Sequence, residues 1–105
     1  MHNSCAVADI NKTPIYRAGK TFKIRDKDIT LNEEGLVDPK RGVSVNSDIE
    51  ALSILRGSKF RIIEIPDELQ IVHTSGTHYE IVPKVAMTRG NYQLLLDQIK
   101  IVPVK

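Results

Sequence analysis

The chain has 105 residues, of which 41% are hydrophobic and 27% are charged, and its formal net charge is +2. A chain of this length forms one domain, and this composition is typical of an ordinary globular protein. The 15 Lys and Arg residues are spread along the chain. The charge therefore argues against a nucleic-acid partner.

The N-terminal residues are polar and small, which predicts a flexible N-terminus over residues 1–12 and a single α+β domain over residues 13–105. The start lacks the basic and apolar regions of a secretory signal. No apolar run reaches the roughly 20 residues of a membrane-spanning helix. We expect a cytoplasmic protein with no membrane partner, and export by a route that needs no N-terminal signal stays open. Cys5 is the only cysteine, so no internal disulfide can form.

The first half of the chain predicts two strands, a loop and a helix. The first strand runs over 14–18, with proline at its start. Alternating polar and apolar residues predict a second strand over 21–25. Charged residues with a glycine and a proline predict a long loop over 26–41, and loops of this length are often functional. Ser47 and Glu50 have the spacing of a capping box that opens a helix.

The second half predicts three strands and a helix. A strand over 59–65 precedes a hairpin, whose strands over 69–73 and 78–82 are joined by a short polar turn. Thr88 is placed to cap a last helix, and residues 101–105 predict either an edge strand or a tail that packs against the domain. This order predicts an α+β fold with two helices and a small, mixed, mostly antiparallel sheet.

Arg17 and Ser44 are the first two candidate functional residues. The guanidinium of Arg17, at the end of the first strand, can bind phosphate or ribose oxygens; an exposed arginine in a surface ion pair is the alternative. Ser44 alternates with two flanking valines, so its hydroxyl can orient a ribose or support a carboxylate. A solvent-facing serine is the alternative there. The preceding Gly42 allows a ligand to approach the backbone closely.

The segment 77–83 carries the strongest indication of chemistry. On a strand, His78 and Glu80 share one face and Tyr79 takes the other. A carboxylate beside an imidazole can hold a ribose and stabilise positive charge that develops at an anomeric carbon. An ordinary polar pair on the wet face of the hairpin, with Tyr79 in the core, is the alternative.

Other kinds of site lack support in the sequence. His73, His78 and Cys5 do not have the spacing of a zinc site, so we predict no bound metal. The chain contains no phosphate-binding loop, no dinucleotide glycine fingerprint and no nucleophile elbow.

Three short motifs, in their order, give a family resemblance. They are Tyr-Arg-Ala at 16–18, Gly-Val-Ser-Val at 42–45, and Thr-His-Tyr-Glu-Ile-Val-Pro-Lys at 77–84. This series resembles the small ADP-ribosyltransferase-like toxins, above all the effector toxins delivered by type VI secretion. The resemblance covers roughly residues 15–99. The chain departs from that pattern at Val43, where a threonine is expected, and at 26–41, where a longer helical region often covers NAD.

The resemblance implies a split, curved sheet that clasps NAD in a central cleft. It implies that Arg17, Tyr16, Ser44 and Tyr79 bind NAD and that His78 and Ser44 take part in catalysis. We add Glu80 to the catalytic residues, although the toxin pattern does not include it. Glu80 stands where the toxin group has a threonine-like residue, whereas many transferases place a glutamate on a late strand.

The function expected from the resemblance is that of an NAD-binding toxin domain. Such a domain would transfer ADP-ribose to an unknown acceptor, or hydrolyse NAD. The expected partners are NAD, a protein acceptor, and an immunity or antitoxin protein. The alternative is a non-catalytic relative of the fold that acts as a protein-binding module through a sheet edge or a helix face.

Overall fold

The computed structural model describes residues 7–104, and these residues form an antiparallel sheet with one α-helix. The elements, in chain order, are β1 (Tyr16–Ala18), a 3-10 helix (Asp26–Asp28), β2 (Val43–Asn46), a 3-10 helix (Ile49–Leu52), β3 (Lys59–Glu64), β4 (Leu69–Ser75), β5 (His78–Pro83), α1 (Arg89–Leu96) and β6 (Lys100–Pro103). The strand order in the sheet is β4-β5-β2-β1-β3-β6. No helix within the described residues is long and apolar enough to cross a membrane.

The α+β class predicted from the sequence is confirmed. The hairpin forms as β4 and β5, α1 begins after its cap Thr88, and β6 occupies the predicted edge position beside β3. Each strand pair within residues 7–104 is antiparallel, so the sheet is more uniform than the mixed sheet expected. The predictions that concern residues 1–6, including Cys5, lie outside the described residues.

The predicted first helix is a short 3-10 helix. Its N-cap is Asp48, one residue after the predicted cap, and the Asp48 carboxylate accepts a hydrogen bond from Glu50 N at 3.0 Å. The Asn46 side chain in turn accepts from Asp48 N at 2.8 Å. The Asp48 bond satisfies one of the free N–H groups at the helix start, as an N-cap does. Leu52, the last residue of the helix, is 9% exposed, whereas Ile54 and Leu55 beyond it are 89% and 48% exposed.

The predicted strand over 21–25 does not form, because a side chain satisfies its backbone. The Gln93 amide on α1 donates to Phe22 O and accepts from Ile24 N, both at 3.0 Å. These are the bonds that a neighbouring strand would otherwise make. The alternating pattern still buries one face of the segment, since Phe22 belongs to the hydrophobic core.

The sheet is nearly divided between β1 and β2. These strands share a single residue pair, Tyr16 with Asn46, whereas β2 and β5 share four pairs. One half of the sheet is therefore β4-β5-β2 and the other is β1-β3-β6. A site that lies between the halves can receive side chains and backbone groups from both.

The hydrophobic core lies on one face of the sheet, beneath α1 and the loop between β1 and β2. Val43, Val45 and Ile81 supply the sheet side, and Tyr92 and Leu96 supply the helix side; all five are at most 2% exposed. The opposite face of the β2–β5 ladder carries polar residues, because side chains alternate along a strand. Because the core covers one face of β2 and β5, the polar side chains of these strands lie on the opposite face.

Candidate functional site

A cleft of about 230 Å³ lies where β1 and β2 separate. The residues that line it are Arg17, Ala18, Arg25, Ser44, Val45, Asn46, Leu52, Leu55 and His78. Arg17, Ser44 and His78 come from three different strands and were each singled out in the sequence. The structure therefore brings three of the predicted site residues to one place.

The Arg17 guanidinium spans the division of the sheet. Its Nε donates to Thr21 O at 3.0 Å and its Nη1 donates to Ser44 O at 2.8 Å. Its Cζ lies 5.1 Å from the centre of the Phe22 ring, close enough for a cation–π contact. Burial lowers the pKa of Arg17 from its ordinary value, although the nearby Asp28 carboxylate opposes this. Within residues 7–104 its Nη2 donates no hydrogen bond, so it is available to a ligand.

His78 opens β5 and is held by the hairpin turn. It pairs with Asn46 of β2, so its side chain lies on the polar face of the ladder. Its Nδ1 is hydrogen-bonded to Thr74 Oγ1, and the same hydroxyl donates to His78 O at 3.0 Å. The register of the hairpin shifts between His73 and Ser75, so Thr74 is the extra residue of a bulge. Bulges re-aim a side chain, and they are frequent next to active sites.

Ser44 and Glu80 are direct partners across β2 and β5. Ser44 lines the cleft, and its carbonyl accepts from Arg17. Glu80 shares the polar face with His78 but is not among the lining residues. Its Oε1 accepts a hydrogen bond from Gly42 N at 3.2 Å, so one carboxylate oxygen is engaged by the backbone.

Gly42 serves a different purpose from the one expected. A Cβ added there would overlap Ile81 O and the Tyr92 hydroxyl, so the close approach is made by the protein and not by a ligand. The Tyr92 hydroxyl accepts from Val43 N at 3.1 Å and donates to Ile81 O at 2.5 Å. Burial raises the pKa of Tyr92 to about 12. The phenol therefore stays neutral and seals this end of the β2–β5 ladder.

Arg25 also lines the cleft, beside Arg17, and no motif in the sequence singles it out. Its side chain is 64% exposed and forms two bonds with the Asp28 carboxylate, at 3.2 and 3.3 Å. Asp28 is 7% exposed. Burial alone would raise the pKa of Asp28, but the Arg25 side-chain and backbone bonds outweigh it and lower the pKa. The i, i+3 spacing of Arg25 and Asp28 was visible in the sequence, but nothing linked it to Arg17.

Two predicted NAD-binding residues lie away from the cleft lining. Tyr79 faces the other side of β5 from His78, because side chains alternate, and its ring contacts that of His73 with centres 4.9 Å apart. Tyr16 forms the single pair with Asn46 at the division of the sheet, next to the cleft. It is not among the residues that line the cleft.

Metal ligands do not gather around this cleft or elsewhere in the described part of the chain. Within residues 7–104 no three His, Cys, Asp or Glu side chains are close enough to share an ion.

A nearly divided antiparallel sheet, with an arginine, a serine and a histidine from three strands at the division, has the features expected of the ADP-ribosyltransferase-like class. A family model described as Tse2 ADP-ribosyltransferase toxin matches residues 11–102. The chain therefore belongs to this family of toxins. No curated protein and no solved structure matches the chain.

Proposed function

We propose that the protein binds NAD in the cleft between β1 and β2 and cleaves it, transferring ADP-ribose to an acceptor or to water. The observation that carries the proposal is the convergence of Arg17, Ser44 and His78 on one cleft. Membership of an ADP-ribosyltransferase toxin family supports it.

The size of the cleft indicates how NAD would lie. At about 230 Å³ it is smaller than the roughly 300–1,000 Å³ of a pocket that encloses a whole drug-sized ligand. We propose that it encloses the nicotinamide and its ribose and leaves the adenosine outside. Leu52 and Leu55 offer apolar surface for the ring, and the two guanidiniums of Arg17 and Arg25 provide positive charge for the pyrophosphate.

We propose a chemical role for each of four residues at or beside the cleft. Arg17 would bind pyrophosphate or ribose oxygens through Nη2, and His78 would hold a ribose hydroxyl. Ser44 would orient β5 through its pairing with Glu80. As nicotinamide leaves, the electrons of the glycosidic C–N bond go to its ring nitrogen, and the anomeric carbon becomes positive. Glu80 lies beside the cleft lining, as the cross-strand partner of Ser44. Its second carboxylate oxygen would stabilise that charge, while its Oε1 holds Gly42 N.

The protein would also need an acceptor and a partner that protects the cell producing it. We propose a protein as the acceptor, and an immunity or antitoxin protein as the partner that protects the producing cell. We also propose that the chain folds and acts in the cytoplasm. Family membership as a toxin supports the immunity partner.

The direct test is an NAD titration of the purified protein by ligand-observed NMR. Arg17→Ala is expected to weaken binding at least tenfold, because charged hydrogen bonds to the ligand are lost. Arg61→Ala is the matched control, since Arg61 is an exposed arginine outside the cleft lining. A melting curve for each variant is needed, because Arg17 also bonds two backbone carbonyls.

The alternative function has a distinct outcome in the same experiment. If wild-type protein shows no binding at millimolar NAD, the cleft is not a nucleotide site and the non-catalytic, protein-binding relative is favoured. If NAD binds but is not consumed with any acceptor or with water, binding stands and turnover is refuted.

A further inference from the structure

The hydroxyl of Thr74 has two partners, and this determines which nitrogen of His78 carries a proton. One partner is the carbonyl oxygen of His78, at 3.0 Å. A carbonyl oxygen can only accept, so the single hydroxyl proton of Thr74 is used there. The other partner is Nδ1 of His78. With its single proton directed at that carbonyl, the hydroxyl is placed to accept from Nδ1–H.

The same reasoning assigns the opposite tautomer to the neighbouring histidine. His73 Nε2 lies 2.7 Å from Gly76 O, which can only accept, so His73 carries its proton on Nε2. The two histidines of one hairpin are thus held in opposite tautomers by the turn between them. His73 therefore serves as an internal reference for His78.

From this geometry we infer that Thr74 is a positioning residue that holds His78 as the Nδ1–H tautomer, with a bare Nε2 as the hydrogen-bond acceptor offered to the cleft. The inference rests on the proposed NAD site. A nicotinamide ribose hydroxyl is a donor of the kind that Nε2 would receive. In the other tautomer, Nε2–H would meet that hydroxyl as a second donor, and the ribose would have to accept instead.

The bulge in β4 explains why Thr74 can reach both atoms. A regular hairpin would place one β4 residue opposite His78, but the register shift gives two, Thr74 and Ser75. The extra residue leaves the ladder and directs its side chain differently. The bulge therefore places the Thr74 hydroxyl next to the ring of His78, although His78 is already paired with a strand on each side.

The test compares three variants of the full chain with the wild-type protein. Thr74→Val keeps the shape and removes both hydrogen bonds, and Thr74→Ser keeps the hydroxyl. Thr77→Val is the matched control: it makes the same chemical change in the same turn, at a side chain with no hydrogen bond in the described structure. Melting curves show whether each variant is folded.

Two measurements are made on each variant. The first is the tautomer of each histidine, from long-range proton–nitrogen correlation spectra of protein with nitrogen-15-labelled histidine, at a pH where the rings are neutral. The second is the dissociation constant for NAD. We expect wild-type His78 as Nδ1–H and His73 as Nε2–H. In Thr74→Val, His78 should change to Nε2–H and NAD binding should weaken about tenfold; Thr74→Ser and Thr77→Val should resemble wild type.

The outcomes separate this inference from the proposed function. Wild-type His78 in the Nε2–H form overturns the inference, even if NAD binds. Unchanged NAD affinity in folded Thr74→Val also overturns it and leaves the NAD site standing. If wild-type protein shows the expected tautomers but binds no NAD, the proposed function fails, and the assignment of Nε2 to a ribose hydroxyl fails with it.

Discussion

Strands β2 and β5 meet along four residue pairs, and the two ends of this ladder are built for different purposes. At the Val43–Ile81 end, the fully buried Tyr92 hydroxyl is inserted between the strands. At the Asn46–His78 end, both residues line the cleft. One pair of strands thus has a sealed end, which holds the sheet to the helix, and an open end, where we propose that NAD binds.

The sealed end should tolerate the least change, and Gly42→Ala is its severest test. The new methyl group would overlap Ile81 O and the Tyr92 hydroxyl, which are buried and cannot move apart. We expect a loss of about 3 kcal/mol or more in the free energy of unfolding, measured by chemical denaturation. Gly90→Ala is the control, because its Cβ would meet nothing within 4 Å; in a helix it should stabilise slightly. Equal stability of the two variants would contradict the distinction.

Glu80→Gln tests whether a residue beside the sealed end also takes part in chemistry. Glutamine keeps an oxygen for Gly42 N and removes only the charge. We expect NAD turnover to fall about 100-fold, because a positive charge is no longer stabilised as nicotinamide leaves, with a melting temperature near wild type. Glu80→Ala should lose the Gly42 bond as well and be less stable. Full turnover by Glu80→Gln would restrict Glu80 to a structural role.

Tyr92→Phe should weaken the fold without changing the cleft. The substitution keeps the ring and leaves Val43 N and Ile81 O buried without the hydroxyl that joins them. We expect a loss of about 2 kcal/mol in the free energy of unfolding and an unchanged dissociation constant for NAD. Tyr79→Phe is the matched control for stability, since its hydroxyl makes no hydrogen bond within the described residues. A weakened NAD affinity in folded Tyr92→Phe would contradict this, because it would show that the sealed end affects binding at the open end.

The smallest expected effect is the pH-dependent stability that Asp28 contributes by holding Arg25 at the open end. The pKa of Asp28 is lower in the folded protein than its ordinary 3.8, so its ionisation favours folding above that pH. That stability is lost as the pH falls through the folded-state pKa. Asp28→Asn should cost about 1 kcal/mol at neutral pH, a modest amount because Arg25 is largely exposed.

Denaturation curves at several pH values provide the measurement for Asp28. The difference between wild type and Asp28→Asn should be constant near neutrality and should shrink below pH 3.8. A difference that persists undiminished in strong acid would show that the carboxylate charge is not its source.

Much of this molecule follows from local patterns in the sequence. The turn between β4 and β5 and the cap at Thr88 were identified from short stretches, because turns and caps depend on neighbouring residues. The convergence of Arg17, Ser44 and His78 was suggested by the order of three motifs, and the cleft confirms that they meet. The roles of these residues in chemistry stay predictions.

The predicted strand over 21–25 is wrong because its backbone is bonded by a group distant in the sequence. The segment 21–25 has the alternation of a strand, but Gln93, some seventy positions later, takes its backbone bonds. The helix expected after Ser47 is a 3-10 helix that is capped by Asp48 and ends at Leu52. Nor does any pattern in the sequence show that the Tyr92 hydroxyl closes a gap between two strands.

The near-division of the sheet has a consequence for how the chain must assemble. The two halves are interleaved along the sequence, because the chain passes from one to the other after β1, β2 and β3, and again between β5 and β6. No single cut in the chain separates them, so neither half is a contiguous segment able to fold first. During synthesis the cleft walls become complete only when late strands pair with early ones. We therefore expect incomplete chains to be inert, so that the active centre forms together with the whole fold.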